Sequence, residues 1–428
     1  MSFARSISRE FRFFLRQPVA LGLIAVAAML SAFAVWSGLA ETAQQTATIE
    51  RLLAADAEDR SAALATASDY GGAAYYSFHL THNPPSDLAF AALGQRDVFP
   101  WKHRVRMLAL EGQIYETDAA NAELAQAGRF DFALVVGVLA PLFLIMLLHD
   151  QRASERAAGR HDLLVATAGG GGQPWRARAA VRVGLLGVAL LAPLLIGAAI
   201  AGAGLWSTFL VCLIVLGLVL FWALVCLWAS ARPFTGPAIA SSLLAFWMLT
   251  TFVTPAISDA AIESAIPAPA GGTIVLAQRE AVNDAWDLPK QATMKPFLAE
   301  HPQWTDHAAI ERPFEWKWYY AFQQVGDQTV AGLSSQRRDA IAARDRAAGW
   351  TALLSPSALT QRGLTRLAQT DVRAALAYQE SVRDFHASLR AFYYPLLFKE
   401  APYDHAMLAN LPAYDPGMAK TFGDEKAE

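Results

Sequence analysis

Cysteine is nearly missing from this 428-residue chain, and the two that occur, Cys212 and Cys226, fall in one apolar stretch. Fourteen positions apart on a helix, they stand about 21 Å from each other at 1.5 Å per residue, beyond the reach of a disulfide. Both read as small buried hydrophobes. The polar parts of the chain hold no cysteine, so cross-links contribute nothing to their stability. Charge is scarce too: 17% of residues are charged and 54% are hydrophobic, against about 25% and about 45–50% in soluble domains. The shortage is uneven, absent from some stretches and total in others, so membrane spans alternate with aqueous segments. A formal net charge of −3 offers no basic face for nucleic acid, and none is expected as a partner.

Catalytic and energy-supplying motifs are missing as well. The Gly169–Gly172 run lacks the Gly-Lys-Ser/Thr that would make it a phosphate loop, and no strand precedes it; it reads as a flexible connector. No Gly-x-Ser-x-Gly or His-Glu-x-x-His pattern occurs, so the chain is expected to be a non-enzymatic subunit with no cofactor of its own. His79 and His82 are spaced to share a helix face. Two histidines fall short of a metal set even with His103 or Asp87 nearby, and no metal site is expected.

What the chain does have is apolar runs. Five are long enough, at about 20 residues, to cross the hydrocarbon layer: 18–40, 130–149, 183–203, 206–230 and 238–257. The first follows a basic start and contains Gly38–Leu39–Ala40, which a signal peptidase could accept. A signal core is about 7–15 residues long, so an uncleaved anchor is the better reading. No span carries an acidic, basic or histidine side chain in its interior. Ion-coupled carriers need such groups for their relays, so any transport must draw its energy from elsewhere.

Arginine marks one side of the membrane. Arg5, Arg9, Arg12 and Arg16 precede the first span, six arginines lie in 150–182, and Arg232 follows the fourth span, while the hairpin at Gly202–Gly204 is uncharged. Basic short segments stay in the cytoplasm, which makes 1–17 and 150–182 cytoplasmic and places 41–129 and 258–428 outside an inner membrane, with the C-terminus extracytoplasmic. Few stretches alternate with period two. The fold expected is therefore mainly α, a polytopic helical membrane protein with about five transmembrane helices and two sizeable, mostly helical extracytoplasmic segments.

The first external segment opens with helix-forming sequence that continues the first span out of the bilayer, then breaks at Gly71–Gly72 and Pro84–Pro85. The second opens on Pro- and Gly-rich sequence at 266–272 and later shows Val382, Phe385, Leu389 and Phe392 at helical spacing. Between them Phe314, Trp316, Trp318, Tyr319, Tyr320 and Phe322 crowd together. Two readings stay open for this cluster. Trp316, Trp318 and Tyr320 could form a surface for lipid, cargo or a partner, or the segment could be packing on itself.

The loop after the second span, HDQRASERAAGRHDLLVATAGGGGQPWRARAAVR, contains helix formers and Leu163–Leu164 and suggests one short amphipathic helix along the membrane surface. Here the sequence resembles a known family. The run from Phe130–Asp131 through Pro141–Leu142 to Ser154–Glu155–Arg156–Ala157–Ala158–Gly159–Arg160 is similar to the second span and first loop of ABC-2-type transporter permeases. More narrowly, it resembles their branch with a large external insertion after the first span, a family of unknown function. Leu93–Gly94–Gln95–Arg96–Asp97, Pro100, Leu354–Ser355–Pro356 and Thr370–Asp371 extend the resemblance over most of the chain. Two departures stand out. The family's Ser-Glu-Arg-Glu-x-Gly-Thr has lost its second Glu and its Thr. After Leu411–Pro412–Ala413–Tyr414, where the family has a sixth span, the sequence is polar.

The resemblance implies a permease subunit that takes its energy from a separate ATP-binding subunit, which would hold the ATP and Mg, and that works beside a second permease copy or paralogue. It implies export of a substrate the sequence does not identify. The loop helix would dock in a cleft of the ATPase, with Leu163 inserted, Glu155 and Arg156 at the charged rim, and Gly159 between them. The alternative is a mechanical coupler whose external domains act on an envelope protein without cargo crossing the bilayer.

Overall fold

The computed structural model describes residues 3–116, 130–167 and 172–417. Pro18, whose missing N–H costs nothing at a helix start, opens a helix that runs unbroken for 48 residues, Pro18–Ala65. No proline interrupts it and the sequence past Ala40 is good helix former, so the first span passes directly into the polar domain. Among the described residues five helices are long and apolar enough to cross a membrane: Pro18–Ala65, Phe132–Ala157, Gln173–Ala201, Leu205–Ser230 and Gly236–Ala265. The protein is a mainly helical, multi-pass membrane protein. The third span starts ten residues before the apolar run does, because Pro174 sits in its first turn and Arg176, Arg178 and Arg182 ride its lower turns. The Gly169–Gly172 connector lies outside the described residues except for Gly172.

The spans share one apolar core, with Leu144, Leu190, Leu194 and Trp222 fully enclosed. The third span lies along the first. Ser31 donates to the Leu190 carbonyl at 3.1 Å, one turn from Pro193, a polar group satisfied inside the bundle as an apolar surround requires. The second and fifth spans each contain one π-helical stretch, Val135–Leu139 and Leu249–Val253. Such turns take backbone carbonyls out of the regular ladder; that of Val138 accepts from Trp247 Nε1 at 3.2 Å.

Both π stretches face the same helix, Pro356–Leu367, which also packs on the fourth span. Ser355 caps it, accepting from Ala358 N at 3.1 Å. Its Ser357 shares a 3.1 Å hydrogen bond with Thr251 of the fifth span, and its Leu364 belongs to the span core. Composition assigns this segment to the aqueous domain, yet it wedges into the end of the bundle.

The polar domain is built on helix Trp316–Thr351, flanked by Gly271–Asp287, Lys290–Glu300 and Val372–Phe398. Along the last of these, Val382, Phe385 and Leu389 point inward as their spacing predicts, with Phe392 at the edge of the core. Two local expectations fail. The chain breaks after Ala65 rather than at Gly71–Gly72, which lie inside a short helix, Tyr70–Tyr76, capped by Asp69. His79–His82 is a strand, paired antiparallel with Lys102–Val105, so the two histidines cannot share a helix face and point to opposite sides.

Candidate functional site

Polar side chains gather at both ends of the bundle. At the basic end the apolar helix of the second span stops at Leu148, and the chain beyond it forms two short helices, Ala153–Ala157 and His161–Thr167, instead of the single helix expected. Gly159 is the reason. It adopts φ +68°, its N–H bonds the Arg156 carbonyl at 3.0 Å, and the Arg160 N–H reaches back to Glu155 O at 2.9 Å. That pair of bonds is a Schellman stop.

Two charged side chains of this loop, Glu155 and Arg156, are engaged within the chain, while Arg160 and Asp162 are exposed. Glu155 accepts from Arg160 Nε at 2.9 Å and from Arg178 Nη1 at 3.3 Å. Arg178, at the foot of the third span, also reaches Glu10 of the N-terminal helix Phe3–Phe14 at 3.2 Å. Arg156 donates to the carbonyls of Arg232 and Phe234 at 2.8 and 3.0 Å, stapling the loop to the turn between the fourth and fifth spans. Glu155 and Arg156 are thus engaged within the chain rather than standing at an outer rim. Of the four loop residues singled out from the sequence, Leu163 presents its side chain outward, 66% exposed. Glu10 and Arg178 escaped sequence reading because each is remote in the chain from the loop it ties down.

At the other end a cleft of about 640 Å³ opens where the fifth span leaves the bundle. Its polar lining includes Asp259, Glu263, Arg344, Asp345, Arg362 and Asp371. Arg362 donates to Asp345 Oδ1 at 2.7 Å and to its carbonyl at 3.1 Å. Arg344 bonds the Ile266 carbonyl at 2.8 Å and lies 3.6 Å from Glu263. Burial pushes the Asp371 carboxyl above its ordinary range, although it caps Ala374 N at 3.1 Å. These six groups carry four acids against two arginines, so the lining favours a cationic or zwitterionic guest over an anionic one.

The cleft joins segments far apart in sequence. Gln95 N donates to the Thr370 carbonyl at 2.7 Å, and Thr370 Oγ1 to Ala92 O at 2.8 Å. Gly94 needs its φ of +52°, and a methyl there would also strike Thr370. Asp131 accepts from Leu93 N at 3.0 Å while capping the second span at Leu134 N, 2.9 Å. Leu93–Asp97, Phe130–Asp131, Ser355–Pro356 and Thr370–Asp371, scattered along the sequence, meet around this one region. Residues 273–416 match a family described as a domain of unknown function, DUF3526. That match covers about a third of the chain and takes in the cleft walls from Ile341 to Val372. No curated protein and no solved structure matches the chain.

The aromatic cluster is buried at Trp318, Tyr320 and Phe322, half-buried at Trp316 and Tyr319, and exposed at Phe314. Trp318 and Tyr320 are 4% and 1% exposed; Trp318 Nε1 donates to Thr293 Oγ1 at 2.8 Å and Tyr320 OH to the Gly71 carbonyl at 2.8 Å. Trp316 stacks on Tyr320 with ring centres 5.9 Å apart and fills the space a side chain at Gly71 would need. Trp318 and Tyr320 belong to a core between the helices, which removes them from a face for lipid, cargo or a partner, while Trp316 is half-buried beside them. The histidines are internal as well. Burial, with Arg60 nearby, lowers His79 to about 3, and burial, with Arg383, lowers His103 to about 4. Among the described residues no three His, Cys, Asp or Glu side chains gather as metal ligands.

Proposed function

We propose that this chain is the permease subunit of an ATP-driven transporter, an inner-membrane exporter in which a separate ATP-binding subunit docks at the basic end. The observation that carries this reading is the chain of contacts from the exposed Leu163 loop through Glu155 to Arg178 and Glu10. In this reading force applied to the loop passes from Arg160 through Glu155 to the foot of the third span and the N-terminal helix. In this reading the basic end is cytoplasmic, the C-terminal domain is extracytoplasmic, and ATP and Mg belong to the partner. The first and fifth spans have only 28% and 22% of their apolar windows covered within the chain, which leaves room for lipid and for a second permease copy or paralogue.

A mechanical coupler is the second reading. It is favoured by the filled apolar core between the spans and by the unbroken helix from bilayer to polar domain. Purification of the tagged chain in mild detergent, followed by ATPase assays on the reconstituted complex, tests both. An ATPase subunit is expected to co-purify, Leu163→Asp to reduce its recovery, and Glu155→Lys to retain it while uncoupling hydrolysis from transport. Recovery of no ATPase, or unchanged coupling in Glu155→Lys, would sink the permease reading. Hydrolysis that depends on the chain while no solute moves in proteoliposomes would favour the coupler.

A further inference from the structure

The N-terminal helix carries a feature that the proposed coupling does not use. Arg5, Arg9 and Arg12 recur at intervals of four and three along one side of the helix Phe3–Phe14, and Arg16 follows on the turn beyond it. With Ser8 and Phe13 they bound an open groove of about 340 Å³. The opposite side, Ser6, Glu10 and Phe14, is buried, and the helix packs on the third span. Glu10, the helix's single acid, turns its carboxylate to Arg178 at 3.2 Å and keeps one oxygen 3.8 Å from Arg9. Among the described residues Arg5, Arg12 and Arg16 form no ion pair. Three guanidinium groups thus stand along about 10 Å of helix, with a fourth on the turn after it and at most a fraction of one counter-charge among them.

Location selects the ligand. Pro18 begins the first span two residues after Arg16, so the row lies at the bilayer surface. Phe11, Phe13 and Leu15 are exposed on its flanks and suit the boundary between headgroups and acyl chains. Guanidinium binds phosphate oxygens through two parallel N–H donors. We propose that this row is a binding site for anionic phospholipid headgroups, holding the N-terminal helix flat against the leaflet at the foot of the first and third spans. The inference needs the helix at a membrane surface and does not depend on an ATPase partner.

The test uses the full-length protein reconstituted in bilayers with spin-labelled phosphatidylglycerol or phosphatidylcholine, reading the motionally restricted fraction of each. Wild type is expected to favour phosphatidylglycerol. Each arginine near an anionic surface contributes roughly a fivefold effect on association, so Arg5→Gln/Arg12→Gln should lower the preference by roughly 25-fold. The Lys replacements at the same two positions should keep most of it. Salt at about 0.5 M, where screening is shorter than about 8 Å, should erode the wild-type preference, a readout that holds even if the Gln variant folds poorly. Equal association of the two lipids with wild type, or a preference indifferent to salt, overturns the proposal. So does competition by inorganic phosphate at equal concentration, which would mark a free-anion site.

Discussion

Gly38→Ala adds one methyl to the first span, and the structure leaves no place for it. A carbon built there would overlap the Phe90 carbonyl oxygen and lie 2.7 Å from its carbon and 3.0 Å from its Cα. All three are backbone atoms, so no rotamer change relieves the contact. The segment carrying Phe90 is also held from behind: Ala91 O accepts from Ala133 N at 2.9 Å, and Leu93 N donates to Asp131 at 3.0 Å. Retreat toward the third span is blocked by Gly197, where a methyl would already meet Val35 Cγ1 at 2.5 Å and Phe90 Cε2 at 2.8 Å. Overpacking costs about 1–3 kcal/mol, and stretching the two anchoring hydrogen bonds about 1 kcal/mol each. The better helix propensity of Ala returns up to about 1 kcal/mol. A net loss of about 2–4 kcal/mol follows from these terms. Gly22→Ala on the same helix is the control, because nothing lies within 4 Å of its added carbon; it should be neutral or slightly stabilising. Thermal unfolding of the purified variants in one detergent compares them, and equal midpoints would refute the close approach of Phe90 to the first span.

Trp318→Ala should destabilise the polar domain by about 3–5 kcal/mol, the range for emptying a buried aromatic site; an unchanged midpoint with altered lipid binding would return the ring to the surface. Tyr320→Phe, which strips the donor from the Gly71 carbonyl and keeps the ring, should cost about 1 kcal/mol by the same measurement. The buried histidines predict a pH dependence. With folded values of about 3 for His79 and about 4 for His103, below an unfolded value near 6.5, the unfolded chain takes up more protons. Their contribution is therefore complete above about pH 6.5 and is lost on acidification, by about 2 kcal/mol for each histidine at pH 5. His79→Phe should flatten the stability profile between pH 7 and pH 5, and a parallel profile would count against its burial. Arg362→Met should loosen the cleft by leaving Asp345 with Arg373 at 3.9 Å as its remaining cation, and proteolysis near the wedge helix should quicken by comparison with Arg373→Met.

Legibility in the sequence followed the range of the interactions. Charge-free runs announced the five spans, and the spacing of Val382, Phe385 and Leu389 announced an inward helix face, because both patterns are local. His79–His82 became a strand only through Lys102–Val105, some twenty residues on, which no local spacing reports. Gln361, Arg362 and Thr365 give the helix Pro356–Leu367 the look of a surface element, and its seat depends on two π stretches more than a hundred residues away. Glu155 faces Arg178 and Glu10 for the same kind of reason. The aromatic cluster was visible as composition, but whether it faced in or out rested on Gly71 and Thr293.

The 48-residue helix has a mechanical consequence when Gly38 is taken as a pivot. From Pro18 to Gly38 the rod measures about 30 Å, and from Gly38 to Ala65 about 40 Å, at 1.5 Å per residue. A rocking of about 10° around Phe90 would swing the basic end by about 5 Å and the far tip by about 7 Å in the opposite sense, by the same rise per residue. The tip is not free of its surroundings. Asp56 accepts from Leu80 N at 3.1 Å and pairs with Arg104 at 3.3 Å, so the two-stranded sheet would travel with it. A lever of this shape reverses and slightly amplifies displacement, turning a small push on one side of a membrane into a larger stroke on the other.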